Sequence, residues 1–326
     1  MISMGIGRGE LIMVDSILEQ LSLIRRDNID PAHMFKLPMT LISLDRREEA
    51  EEMLNHLHCL FLQNSGDISK GKNKSSNPAY LEFYNYIDGW LLRAAILLGM
   101  NDVFGVSIER YLRGQRENGG FITHALEYND GVTDIISTAN GGMVCLALQD
   151  NRSAIKAGDY LIDNLESNKR KKGGLNNIFL RADEKNHLVI PLPENRDMLS
   201  VDKNNEDQLY FMVAFPVAFL SYLYGSSNDE RYLSAAIEYA DFLIACHPKF
   251  VESDASHKTS WALSCLFMHT NNQMYISPIQ KIIKYFESIK DQETGLWFVD
   301  DVLKSLDQSA EIICWLSEIR KNIPQI

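Results

Sequence analysis

The sequence predicts an all-α protein built as a closed ring of helical hairpins, and three observations predict it. Strongly apolar helical stretches alternate along the chain with amphipathic ones. Links leaving an apolar stretch are short, while links entering one are long. A small glycine and aromatic motif recurs behind the amphipathic stretches. An inner layer of apolar helices, wrapped by an outer amphipathic layer, satisfies all three. A helix apolar on every side must be buried on every side, and an amphipathic one presents a single face to a core.

The most apolar stretch is Asn204 to Gly225, which opens with Glu206, Asp207 and Gln208 and then runs without charge through Pro216 to Gly225. It is short of the roughly 18 to 20 apolar residues that a membrane span needs, so it reads as the inner helix of a globular core. Before it, Val14 to Arg25 has helical spacing, and Pro31 and Pro38 punctuate an irregular lead-in. Residues 1–45 are therefore expected as a lead-in, and residues 46–326 as one ring domain. Arg46 to Gln63 is amphipathic, and Asn64 to Asn77 has the composition of a mobile loop. Pro78 to Gly99 is apolar and ends at a glycine suited to a helix stop.

From there the alternation is regular. Asp102 to Gln115 is amphipathic, Asp134 to Leu148 apolar, and Asn151 to Glu166 amphipathic. After the Asn204 stretch, Glu230 to Cys246 is amphipathic, Ser256 to Thr270 apolar, Ser277 to Lys290 amphipathic and Leu306 to Ile319 mainly apolar. The long links, 116–133, 167–205, 248–255 and 291–305, then share one rim, above the N-termini of the inner helices. Loops held by a rigid scaffold are where binding and catalysis concentrate.

The recurring motif is Tyr111 to Gln115 with Gly119-Gly120-Phe121, matched by Tyr285 onward with Gly295-Leu296-Trp297. Weaker echoes stand at Tyr160 with Gly173-Gly174-Leu175, and at Tyr239 to Phe242. Repeats of this length in helical pairs mark units that bury their faces only against neighbours. A helix ending in Tyr-Leu-x-x-Gln before a Gly-x-Phe or Gly-x-Trp turn resembles the Q-W-type repeat of the squalene and oxidosqualene cyclase superfamily, related in fold to protein prenyltransferase β subunits. The resemblance covers roughly 77–319. It implies an all-α, (α/α)5–6 toroid with a central cavity. The same ring serves glycan-active enzymes such as unsaturated uronyl hydrolases and sugar 2-epimerases, so the fold does not name a reaction.

Each inner helix carries polar residues near its first turn, and a toroid would bring them to one mouth. The candidate catalytic residues are Asp88, Asp134, Glu206, Asp207, His257 and Asp307. Glu206 and Asp207 come first, because a carboxylate leading an uncharged helix would be desolvated, raised in pKa and able to act as a general acid. His257 would be a base or relay. Acids near helix N-termini are also favoured by capping and the helix dipole without any catalytic role. Candidate substrate contacts are Lys258, Tyr84, Trp90, Tyr210, Phe211, Trp261, Trp297 and Gln308. Aromatic walls suit a carbocation or a sugar face.

Several chemistries lack their motifs. The Asp-x-Asp-Asp acid of type II terpene cyclases is absent, with Val299-Asp300-Asp301 a partial likeness, and no Asp, Cys and His zinc trio is evident. His56-Leu57-His58-Cys59 places its histidines on diverging sides of a helix, so no metal is expected. Neither a phosphate-cradling Gly-x-x-x-x-Gly-Lys run nor a Gly-x-Ser-x-Gly elbow is present. No cofactor is expected.

A net charge of -12 over 326 residues leaves no cationic face for nucleic acid, and the run at 169–172 reads as a solvated loop. Five scattered cysteines suit reduced thiols and a cytoplasmic location rather than a disulfide framework. The first 13 residues lack an apolar segment with a cleavage site. The expected partner is a small-molecule substrate, with homo-oligomers possible. The resemblance implies a cofactor-independent cyclase or isomerase acting by acid/base chemistry on a largely apolar substrate. The alternatives are a carbohydrate-active toroid, hydrolase or epimerase, and a non-catalytic binding toroid.

Overall fold

The computed structural model describes residues 8–24, 30–68, 77–128, 130–171 and 174–326. The start of the chain, most of the expected loop at 64–77, and part of the basic run and its following glycine lie outside the described residues. Among the described residues six inner helices form the ring: Leu37–Ser43, Tyr86–Leu97, Ile135–Ala147, Phe211–Ser227, Ser256–Thr270 and Val302–Asn322. Each packs on the next, and the last packs on the first. Five outer helices, Arg47–Phe61, Asn101–Leu112, Asn151–Lys169, Glu230–Ile244 and Ile276–Ile289, each back the inner helix before them. Arg8–Leu23 supplies the sixth outer position by packing on Val302–Asn322, so the two ends of the chain close the ring. Leu37–Ser43, placed by its sequence in the lead-in, is thus an inner helix.

The two layers follow from the residues. Phe211–Ser227 buries nearly every position from Met212 to Leu223 and contains Pro216, whose missing N–H interrupts the ladder. Ile276–Ile289 buries Pro278, Ile279, Ile282 and Phe286, a single stripe at helical spacing. Where inner helices meet closely, glycine is required: a Cβ on Gly142 would lie 2.2 Å from the Phe219 ring.

Short links join inner to outer helices, and each contains a left-handed residue: Asp45, Gly99, Gln149, Asn228 and Asn271. That conformation ends a helix by turning the next N–H back onto its last carbonyls. The long links gather on the opposite rim. There Phe121–Ile122 pairs with Thr133–Asp134, which pairs with Arg181–Ala182, and Asn177–Phe179 pairs with Ser200–Asp202.

The recurring motif has a structural task. The Phe121 N–H donates to Thr138 Oγ1 at 2.9 Å, and the Trp297 N–H donates to Ser309 Oγ at 3.0 Å. In both units the turn behind an outer helix is pinned to the next inner helix. Trp297 also donates its ring N–H to the Phe286 carbonyl, which ties the turn to the outer helix.

Candidate functional site

At the rim where the inner helices begin, a cavity of about 250 Å³ is lined by Lys36, Tyr80, Tyr86, Phe211, Lys258 and Asp307, among others. Asp307 and Glu311 stand one turn apart on Val302–Asn322, so both carboxylates leave the same face of that helix. Lys36 directly precedes Leu37–Ser43, and Lys258 lies in the first turn of Ser256–Thr270. Helix N-termini carry partial positive charge, so two ammonium groups at such ends need covering carboxylates.

Glu311 provides that cover. Its Oε2 lies 2.5 Å from Lys36 Nζ and 2.9 Å from Lys258 Nζ, with the carboxylate fully buried. Lys36 reaches Asp307 Oδ1 as well, at 2.8 Å. Gln308 donates to Asp307 Oδ2 at 2.6 Å. Behind Lys258, His257 Nε2 lies 3.2 Å from the Lys258 nitrogen and 3.6 Å from Glu311.

The ionisable groups respond differently to this packing. Burial opposes the Glu311 charge, but Lys258 and Lys36 overcome it and hold the carboxyl well below its usual range. Burial also opposes the Lys36 charge, and Asp307 with Glu311 more than offsets it, so Lys36 stands above an ordinary lysine. For Lys258 the balance reverses. Burial dominates, Glu311 offsets it only in part, Lys36 adds repulsion, and the ammonium falls below its ordinary value. Burial and Lys258 push His257 down to about 3, so its ring is neutral at pH 7. Burial, with Glu311 and Asp307 adding to it, raises the Tyr86 phenol well above 10, which keeps it a hydrogen donor.

Below the cavity the ring axis is filled. Tyr86 meets Phe215 at 5.9 Å, Phe215 meets Trp261 at 5.7 Å, and Trp261 stacks on Trp315 at 3.8 Å. Trp90 closes against Trp315 at 5.1 Å. This packing separates the cavity from a second pocket at the opposite rim, between Arg93, Asn151 and Tyr222, and neither Trp90 nor Trp261 lines the cavity.

The structure brings together His257, Lys258, Phe211, Asp307 and Gln308 from the sequence-derived set, although His257 stands behind Lys258 and does not line the cavity. Others lie elsewhere. Glu206 and Asp207 are on the surface, with side chains 51% and 83% exposed, because the inner helix begins only at Phe211. The desolvation expected for Glu206 is absent. A hydrogen bond from Lys249 instead holds its carboxyl below the usual range, and Lys249 Nζ sits 2.7 Å away. Asp134 is the N-cap of Ile135–Ala147, its Oδ1 accepting from Ile136 N and Ser137 N and its Oδ2 from Ser137 Oγ. That satisfies the carboxylate completely and leaves it facing its own helix.

Asp88 is buried and acts on Tyr84 and Arg110, away from the cavity lining. Tyr84 donates to Asp67 at 2.7 Å, and Tyr210 donates to the Asn205 carbonyl. Lys36, Tyr80 and Glu311 complete the site; Tyr80 stands in the sequence among the aromatics near the polar helix starts. Glu311 carried a signal, since it follows Asp307 by one helical turn. Lys36 carried none, because it lies between two prolines in the lead-in.

Among the described residues no group of three or more His, Cys, Asp or Glu could hold a metal ion. No described helix is long and apolar enough to cross a membrane. The cysteines are all free thiols, four of them buried and Cys59 exposed.

No family model matches the chain, and no curated protein matches it. Solved structures do. A D-mannose isomerase superposes with a TM-score of 0.65 at 10% identity, over 98% of this chain and 99% of that one. A family 76 glycoside hydrolase, an α-mannanase of Bacteroides thetaiotaomicron, superposes with a TM-score of 0.63 at 13% identity, over 97% of each chain. An α-1,6-mannanase of Salegentibacter sp., solved as an inactive variant with two consecutive aspartates replaced and α-1,6-mannotetrose bound, gives 0.60 at 13% identity, over 96% and 99%. These relatives are carbohydrate-active enzymes and do not indicate a terpenoid cyclase. At this level of identity, what the likeness shows is the fold: the chain is an α/α toroid.

Proposed function

We propose that the protein is a carbohydrate-active toroid enzyme that moves protons on a single free sugar, an isomerase or epimerase. The observation that carries this reading is the cavity whose wall combines Lys258, Lys36, Asp307 and the Tyr86 phenol. At about 250 Å³ it is near the lower edge of the range for small-molecule sites, which suits one sugar ring better than a polymer. Aldose–ketose conversion and epimerisation beside a carbonyl both need a base to take a carbon-bound proton and donors to steady the oxygen. Asp307 is the carboxylate at the cavity wall, and Lys36 and Tyr86 are the donors.

Among the described residues lining the cavity Asp307 is the single carboxylate, which suits the competing reactions less well. Hydrolysis of a glycoside uses two carboxyls flanking the bond, about 5 to 9.5 Å apart, one of them protonated. Here Asp307 and Glu311 leave the same helix face, and Glu311 is held ionised by two lysines. The consecutive aspartates replaced in the Salegentibacter mannanase have one sequence parallel, Asp300-Asp301, which is exposed, with Asp301 capping Val302–Asn322. Protonation of an alkene, as in a cyclase, would need a carboxyl held neutral, and the ionised Glu311 does not supply it.

The test is proton NMR of the protein in deuterated buffer with a panel of free aldoses and ketoses, run beside aryl glycosides and α-mannan. Deuterium entering carbon 2 of one sugar, with interconversion, is the expected result. Cleavage of a glycoside without exchange into any free sugar would overturn the reading.

A further inference from the structure

We propose that Lys258 is a covalent site, whose amine condenses with the carbonyl carbon of a small open-chain aldehyde or ketone held in the cavity. For a sugar ligand, this rests on the isomerase reading above.

The geometry gives Lys258 the surroundings of a lysine nucleophile. Its side chain is 4% exposed and lines the cavity, while its polar partners, Glu311 Oε2 at 2.9 Å and His257 Nε2 at 3.2 Å, stand behind it. The ring of Phe211 lies 4.9 Å from Nζ and shields it on another side. A second ammonium, Lys36, sits on the same Glu311 oxygen, so one carboxylate oxygen serves two cations. Lys36 has Asp307 in addition, and Lys258 has no second carboxylate within ion-pair distance among the described residues. Of the two, Lys258 is the one that releases a proton more readily. Desolvation and a neighbouring cation are the two devices that turn a lysine into a nucleophile near neutral pH.

The step balances without a redox partner. The Lys258 ammonium releases a proton to solvent at the cavity mouth, and the free amine attacks the carbonyl carbon. A C–N bond forms as the C=O π pair moves to oxygen, and a proton shifts from nitrogen to oxygen to give the carbinolamine. The hydroxyl then takes up a proton from solvent and leaves as water, while the nitrogen lone pair closes the C=N bond. Ammonium and carbonyl become protonated imine and water. The protonated imine withdraws electrons from the adjacent carbon, whose proton Asp307 is placed to take.

The experiment treats the native protein at pH 7 separately with D-mannose, D-fructose and glycolaldehyde in the presence of cyanoborohydride, which reduces an imine to a stable amine. Intact mass and peptide mapping read the adduct. The expected result is one adduct per chain, at Lys258, formed at least ten-fold faster than the average over the other lysines. Lys258→Met abolishes that adduct, and Lys36→Met moves the pH of half-maximal labelling upward, because a repelling charge is gone and the carboxylates it covered now favour the ammonium. Adducts spread over surface lysines, with Lys258 at or below their average, would overturn the proposal, and this comparison within the native protein needs no variant to fold. Carbon-2 exchange that persists in Lys258→Met, with no preferred adduct at Lys258 in the native protein, would overturn it while leaving the isomerase reading standing. Labelling at Lys258 by glycolaldehyde, with no exchange into any sugar, would uphold the covalent site and remove the sugar reading.

Discussion

Replacing Glu311 with Gln removes one charge and leaves the shape of the site nearly unchanged. Its Oε2 is the meeting point of Lys36, Lys258 and His257 at 2.5, 2.9 and 3.6 Å, in a fully buried position. After the change Lys36 retains Asp307 at 2.8 Å, but Lys258 loses its carboxylate partner. Breaking a buried pair by removing one member costs about 3–5 kcal/mol, because the remaining charge stays desolvated. That penalty depends on pH, and its sign is fixed. The folded state of the variant holds Lys258 further below its unfolded value, so the unfolded chain binds more protons. Stability must rise with pH, by up to about 1.4 kcal/mol per unit, until the unfolded lysine itself titrates near 10.4.

Equilibrium urea unfolding at pH 6, 7.5 and 9 measures this directly. Glu311→Gln is expected to lose several kcal/mol at pH 6 and less at pH 9. Adding Lys258→Met removes the stranded ammonium, and the double variant is expected to recover most of the loss. A single-variant cost below about 1 kcal/mol, or additive effects of the two changes, would refute the assignment of Glu311 as the shared counter-ion.

Two further outcomes follow from the placement of the other acids. Asp134→Ala is expected to lower stability by about 1–2 kcal/mol in the same unfolding assay, as loss of a helix cap does, while the affinity of the cavity for a sugar stays unchanged. Glu206→Gln with Asp207→Asn is expected to leave both turnover and the unfolding midpoint where they are. A large fall in turnover there would return the catalytic centre to the surface loop.

The ring was legible because its signals are periodic and long. Phe211–Ser227 has no charged residue to place outside, and Ile276–Ile289 has one apolar stripe, so their layers follow from composition and spacing. Gly99 and Asn271 end their helices in the left-handed conformation that such residues tolerate. The acids at helix starts were less legible, since a capping carboxylate and a catalytic one look alike in a sequence. Asp134 turned inward onto its own helix N–H groups, whereas Asp307 turned toward Lys36. Tertiary packing alone separates them. Glu206 precedes the helix start at Phe211 by a few residues. The chain turns at Asp207, with φ 51°, and Gln208 bonds back to Asp202, so the acids are cut off from the helix they seem to lead. Lys36 was invisible for another reason. It reaches the site only because the lead-in folds back and closes the ring against Val302–Asn322.

A sugar is expected to bind at the long-loop mouth of the ring and not at its other end. A crystal complex with D-mannose or D-fructose tests this most directly. The sugar is expected in contact with Lys258, Asp307 and Tyr80. A sugar seated instead at the opposite end, in the pocket between Arg93, Asn151 and Tyr222, would contradict it.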